Sequence, residues 1–170
     1  MRILGLILAG GIGGMLLAAA PMVSKPIPWK SSAVAPTVNG VKLGDTEQRA
    51  LDLLGVPDEV NSTSNGELLE YTTKGLEVTC TKEGVIAMRL LSPAAGSIDG
   101  IKVGDIARNA MLKWGAPQGG SGRIAQFGPG PWVIVVHLAD RDPTIVDLTL
   151  ALNHGNTSLE APKLNAFQTQ

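Results

Sequence analysis

The sequence predicts an α+β fold of two tandem repeats, each a short helical segment packed on a three-stranded antiparallel sheet, after an N-terminal transmembrane helix. Three observations carry this expectation. Gly40-Val41-Lys42-Leu43-Gly44-Asp45, followed by Leu54-Gly55-Val56-Pro57, recurs as Gly100-Ile101-Lys102-Val103-Gly104-Asp105 and Trp114-Gly115-Ala116-Pro117, at a constant offset of 60 residues. After each copy, apolar and polar residues alternate over short runs, the period of a half-buried strand. Ile3 to Val23 is a 21-residue stretch without a charge, long enough to cross a bilayer as a helix.

The chain then divides into a membrane anchor or signal segment (1–23), a Pro- and Ser-rich tether (24–37), a first repeat (38–93), a second repeat (94–152) and an irregular C-terminal tail (153–170). Gly10 and Gly14 form a small-xxx-small pair suited to membrane helix packing, against the plainer reading that glycine is common in membrane helices. Trp29, between Lys25 and Lys30, suits the membrane–water interface. A cleaved secretory signal competes with the anchor, because Ala18-Ala19-Ala20 offers small residues for cleavage, although Pro21 would follow that cut.

Each repeat has its own punctuation. Asp45 and Asp105 stand where an N-cap belongs, able to accept from the first unsatisfied helical amides. Thr46, Ala50, Leu51 and Leu54 share one helical stripe, as do Ile106, Ala110, Met111 and Trp114. Gly55 and Gly115 can take the left-handed conformation at the helix end, and Pro57 and Pro117 prevent continuation. Helices this short cannot stand alone in water, so each must lie on a sheet.

Strands are expected over 67–73, 76–81 and 85–92, and again over 123–128, 131–139 and 144–152. Residues 61–66 read as a polar turn, and the glycine-rich run 115–122 as a flexible connector. Leu76, Val78 and Cys80 alternate with Glu77, Thr79 and Thr81, so one face of the first sheet is apolar and the other polar. In the second, Trp132, Ile134, Val136 and Leu138 take the helix side. That leaves Val133, Val135 and His137 on the opposite face, beside Ile124, Gln126, Ile145 and Asp147. Such a face needs cover, from a partner or from the tail through Leu164 or Phe167. Val133, Val135, His137, Ile124 and Ile145 are therefore the candidate partner-binding residues.

The content of catalytic chemistry is low. His137 and His154 are the only histidines, with no His-x-x-x-His or Cys-x-x-Cys spacing for a metal. No Gly-x-Ser-x-Gly turn accompanies the serines, so no catalytic, cofactor-binding or metal-binding residues are assigned. Charged residues make up 17% of the 170 and the net charge is −1, which gives no electrostatic reason to expect nucleic acid. The lone Cys80 excludes an internal disulfide and reads as core. Asp140 and Asp142 flank a hairpin and read as turn-forming carboxylates rather than calcium ligands.

Val41-Lys42-Leu43-Gly44-Asp45-Thr46-Glu47-Gln48 with Leu53-Leu54-Gly55-Val56-Pro57, then Tyr71 and a hairpin, resembles the BamE (SmpA/OmlA) outer-membrane assembly lipoproteins and the tandem-repeat β-lactamase inhibitor protein. Gly11 stands where such a lipoprotein would need its lipidated cysteine. The resemblance implies an envelope or secreted binding protein without catalytic residues. The expected function is a non-enzymatic, membrane-tethered protein-binding module. It would be an assembly or scaffolding factor, or a structural subunit of a multi-subunit membrane complex. Its partners would be proteins, plus the bilayer through the N-terminal helix. The expected place is the inner membrane, single-pass, with a periplasmic domain. The alternative is an inhibitor or sensor secreted, or released into the periplasm, by signal cleavage.

Overall fold

The computed structural model describes residues 34–64, 66–128 and 130–153. The expected anchor or signal with Gly10 and Gly14, Trp29, and the tail beyond Asn153 lie outside the described residues. The order of elements is α1 (Glu47–Leu54), β1 (Glu59–Thr63), β2 (Gly66–Tyr71), β3 (Leu76–Thr81), β4 (Gly84–Leu90), a 3-10 turn (Pro93–Ala95), α2 (Ala107–Trp114), β5 (Gly119–Ser121), β6 (Ile124–Phe127), β7 (Trp132–Leu138) and β8 (Ile145–Leu152).

The predicted class is corrected. The strands form one eight-stranded antiparallel sheet in the order β1-β2-β3-β4-β8-β7-β6-β5, not two tandem three-stranded sheets. Two physical reasons account for the difference. The last strands of the two halves, β4 and β8, pair with each other from Ala87↔Ala151 to Leu90↔Leu148, so neither is left as an edge. The outermost strands, β1 and β5, are mostly or wholly exposed and carry no apolar alternation, which is why 61–66 read as a turn and 115–122 as a connector. Among the described residues no helix is long and apolar enough to cross a membrane, so the fold described contains two short helices and no transmembrane element.

One face of this sheet holds the core. Leu69, Val78, Met88, Leu148, Ile134 and Phe127 point to the same side and join Ala50 and Leu54 of α1 and Ala110 and Trp114 of α2 in one buried cluster. Both helices therefore cover the same face. Trp114 and Phe127 meet with ring centroids 5.3 Å apart, tilted by 56°, a favourable aromatic geometry. Cys80 lies in this cluster, 1% exposed. Burial first, and then the charges of Glu47 and Glu67, push its thiol up to about 11. It is an inert core residue.

The capping role expected of Asp45 and Asp105 is also corrected. Thr46 is the N-cap of α1, its hydroxyl accepting from the Arg49 amide at 3.2 Å. Ile106 is the N-cap of α2 without a side-chain bond; there the Asn109 amide donates to the Ile106 carbonyl at 2.9 Å. The two aspartates turn backwards instead. Asp45 Oδ2 accepts from the Lys42 amide at 2.8 Å, and Asp105 Oδ2 from the Lys102 amide at 3.0 Å. The backbone just there is fastened to the sheet: Gly44 N–H donates to Val85 O and Val85 N–H to Asp45 O, both at 2.8 Å. Gly104, Asp105 and Ile145 repeat that pair of bonds at 2.8 Å each. The Gly-Asp pair is a clasp that ties the start of each helix to the start of β4 or β8.

Val85 and Ile145 sit at matching irregularities. Register shifts between Thr79 and Cys80, whose partners are Ala87 and Val85, and between His137 and Leu138, whose partners are Asp147 and Ile145. Each is a bulge that skips one residue, Ile86 or Val146, and turns the residue before it inward. Val85 and Ile145 are both fully buried, while Val146 is 45% exposed.

Gly84 holds the hairpin against the clasp. Its φ is +116°, and a Cβ there would lie 2.7 Å from the Asp45 carbonyl oxygen and 2.8 Å from that of Gly44. Gly100, with φ +87°, would meet nothing within 4 Å. Gly100→Ala should therefore cost only left-handed strain, about 1–2 kcal/mol. Gly84→Ala adds a backbone clash that pushes the clasp open, and should cost more than that in a denaturant titration. Equal costs would show that the clasp yields freely.

Candidate partner-binding face

Strand register places one residue from each strand in a row across the face away from the helices: Glu59, Glu70, Glu77, Arg89, Thr149, Val135, Gln126 and Gly119. A second row runs Leu68, Thr79, Ala87, Ala151 and Val133. A third, on the β8 side only, runs Asp147, His137 and Ile124. Of the five expected partner-binding residues, Val133, Val135, His137 and Ile124 come together here. Ile145 does not. It is fully buried in the core under the clasp, because the bulge reverses its side relative to Asp147.

The face has a sharp division of character. Ala87, Ala151, Val133 and Val135 make a small apolar patch at its middle. Ala151 is 2% and Val135 9% exposed, although neither belongs to the helix-side core; Val133 is half-buried. Ile124 is 38% exposed.

Beside the patch a chain of charges crosses four strands. Asp147 Oδ2 accepts from Arg89 Nε at 2.8 Å, is 2.6 Å from Arg89 Nη2, and lies 3.1 Å from His137 Nδ1. Asp147 Oδ1 accepts from the Thr149 hydroxyl at 3.3 Å. Arg89 Nη1 reaches Glu77 Oε2 at 3.5 Å. Burial works against the Arg89 charge, but the bond to Asp147 and the charges of Asp147 and Glu77 outweigh it and raise its pKa. Among the described residues no buried side-chain nitrogen or oxygen lacks a partner, so the buried members of the network are satisfied.

Sequence reasoning placed Glu77 on the polar face of the first sheet but missed Arg89 and Thr149 as members of this face. Alternation along each strand places them on this side, but only the β4–β8 pairing brings Arg89 to Asp147. Among the described residues no group of three His, Cys, Asp or Glu side chains could hold a metal ion.

Two predictions follow from this network. Asp147→Ala strands Arg89 and His137 beside the apolar patch and should cost about 1.5–3 kcal/mol, the range for bonds to charged groups. Glu77 behaves differently. Burial pushes its carboxyl above the ordinary value of 4.5, and the Arg89 charge pulls the other way. A carboxyl with a raised folded pKa binds more protons folded than unfolded, so its contribution is present below 4.5 and is lost as pH rises through the folded pKa. Glu77→Gln should therefore melt higher than the parent at neutral pH and converge with it in acid. A lower melting point at neutral pH would mean that the Arg89 pair outweighs burial.

Comparison with known proteins identifies the fold alone. No protein-family model matches the chain, and no curated protein matches it. The crystal structure of a cysteine-rich secretory protein from Staphylococcus aureus subsp. aureus Mu50 matches with TM-score 0.56 and 9% identity, over 71% of this chain and 48% of that one. An extracellular protein containing a SCP domain, from Bacillus anthracis str. Ames, matches with TM-score 0.45 and 10% identity over 78% of this chain and 50% of that one. The chain thus spans about half the length of these solved proteins. The resemblance to BamE and the β-lactamase inhibitor protein is corrected accordingly, since the fold neighbour is a protein of neither kind. The motif that carried the resemblance encodes the clasp and a helix end in this chain. The fold neighbour is, by its description, a secretory protein.

Proposed function

We propose that this chain is a non-enzymatic protein-binding module that acts outside the cytoplasm, as a secreted inhibitor or sensor, and engages its partner through the sheet face opposite the helices. One observation carries the reading. The face bears the patch of Ala87, Ala151, Val133 and Val135 beside a satisfied charge network, and both described helices pack on the other side. An apolar centre with a polar surround is the composition of a protein interface. The description of the fold neighbour as secretory supports the extracellular setting.

Val133→Glu tests the reading better than Val135→Glu, because Val135 is already nearly buried and a charge there would unfold the sheet. The full chain, its Val133→Glu variant and a Val146→Glu control should each be used to capture proteins from the extracellular fraction of the source cells. Val146 is 45% exposed at the β8 bulge, away from the patch. The expected result is one partner held by the parent and the control and lost by Val133→Glu, with melting points within a few degrees of each other. Retention of that partner by Val133→Glu would overturn the assignment of the face.

A further inference from the structure

A second surface stands apart from the sheet face. Between α1 and the open edge of β1 runs a groove of about 470 Å³. Its apolar lining includes Leu51, Val56 and Val60. Val56 is 90% and Val60 51% exposed. Its acidic lining is Glu47, Asp52 and Glu67, and no lysine, arginine or histidine lines it. Among the described residues none of these carboxylates is in an ion pair. Glu47 and Glu67 line the same groove, one from the first turn of α1 and the other from β2.

The fold does not require acids at these positions. Sixty residues later, Glu47, Gln48 and Asp52 are replaced by Ala107, Arg108 and Leu112. The residue matching Glu67 is Arg123: Glu67 pairs with Cys80, whose partner is Val85, while the Arg123 carbonyl accepts from Leu138, whose partner is Ile145. The equivalent place in the second half has thus exchanged acid for base and aliphatic residues while keeping its helix and strands. Three carboxylates and no basic residue in its lining make the groove of the first half electronegative, which complements a basic segment.

The two sheet edges differ as well. β5 is three residues of Gly119, Gly120 and Ser121, too short to template a strand. β1 is five residues in unbroken register with β2, and it carries no lysine or proline to blunt its free side. Val60 points to the helix side with Leu69, its partner on β2, while Glu59 and Asn61 point to the other face. A strand added to β1 would therefore send every second side chain into the acidic groove.

We propose that the groove between α1 and β1 binds an extended peptide segment of a protein partner, which joins the sheet at β1 and presents Lys-x-aliphatic-x-Lys to the helix side. The aliphatic residue packs on Leu51, Val56 and Val60, and the two lysines meet Glu47, Glu67 and Asp52. This surface is independent of the face proposed above.

The test uses the full chain and a fluorescein-labelled, end-capped peptide Thr-Lys-Thr-Val-Thr-Lys-Thr, with Thr-Glu-Thr-Val-Thr-Glu-Thr as its counterpart, read by anisotropy. The lysine peptide should bind, lose affinity as salt rises, and outcompete the glutamate peptide. Glu47→Gln with Glu67→Gln should weaken it by about tenfold or more. Val60→Pro, which removes an edge amide, should abolish binding, and Arg108→Glu in the second half should leave it unchanged. If the double variant fails to melt cooperatively, Val56→Ser on the exposed loop is read instead and should weaken binding severalfold. Absence of binding, equal binding of both peptides, or indifference to these variants would overturn the proposal. So would binding that appears only after Lys25→Ser and Lys30→Ser, since the chain's own basic segment would then be the occupant.

Discussion

The pairing of β4 with β8 is the constraint on which the rest of the architecture rests. Each half of the chain is a meander whose last strand would otherwise be an exposed edge, with unpaired amides and carbonyls beside an apolar face. Joining the two last strands removes both edges at once. On the helix side the seam brings Met88 and Leu90 against Leu150 and Leu148, all fully buried, and makes the core continuous. On the other side it brings Arg89 to Asp147. The face proposed to bind a partner exists only because of this join, since its apolar patch draws Ala87 from one half and Ala151, Val133 and Val135 from the other.

The halves keep their clasps and differ in how they finish their helices. At the end of α1, Lys74 Nζ donates to the Leu54 carbonyl at 2.6 Å and the Tyr71 hydroxyl to the Gly55 carbonyl at 3.1 Å. These bonds satisfy acceptors that a helix terminus leaves open. At the end of α2 the matching aromatic is Phe127, which has no hydroxyl. Trp114 takes over the packing and sends its indole N–H to Asp99 Oδ2 at 3.1 Å. The clasp admits little variation because it is made of backbone bonds at fixed glycine conformations. The helix ends vary because several side chains can meet the same need.

Legibility in the sequence follows the same division. Periodic features were readable: the apolar stripe of Ala50 and Leu54, and of Ala110 and Trp114, and the alternation that places Val78 inward and Glu77 outward. Features that depend on which strands meet were not. Nothing in 85–92 or 144–152 says that they pair with each other, so the single sheet and the Arg89–Asp147 contact stayed hidden. β1 and β5 were overlooked because an edge strand in water needs no apolar face. Ile145 was assigned to the wrong side because one bulge reverses parity, and the same bulge at Val85 was equally silent. Asp45 and Asp105 look like helix caps in sequence, but each carboxylate reaches the Lys42 or Lys102 amide three residues back. Tight turns at Asn39-Gly40 and Asp99-Gly100, all at positive φ, were signalled by Asn-Gly and Asp-Gly between apolar residues and could have been read.

The seam also sets an order of events for the folding chain. Pairs such as Leu76↔Leu90 or Val136↔Leu148 close short loops, whereas Ala87↔Ala151 joins residues 64 apart. Short loops cost less entropy to close, and non-local pairing is the slow step in sheet formation. As the ribosome releases the chain, β1 to β4 can assemble long before β8 has been made. During that interval β4 is a bare edge of alternating Met88 and Leu90, with its clasp already formed at one end and no strand beside it. The molecule's most aggregation-prone moment is thus written into its topology, and it ends when β8 arrives.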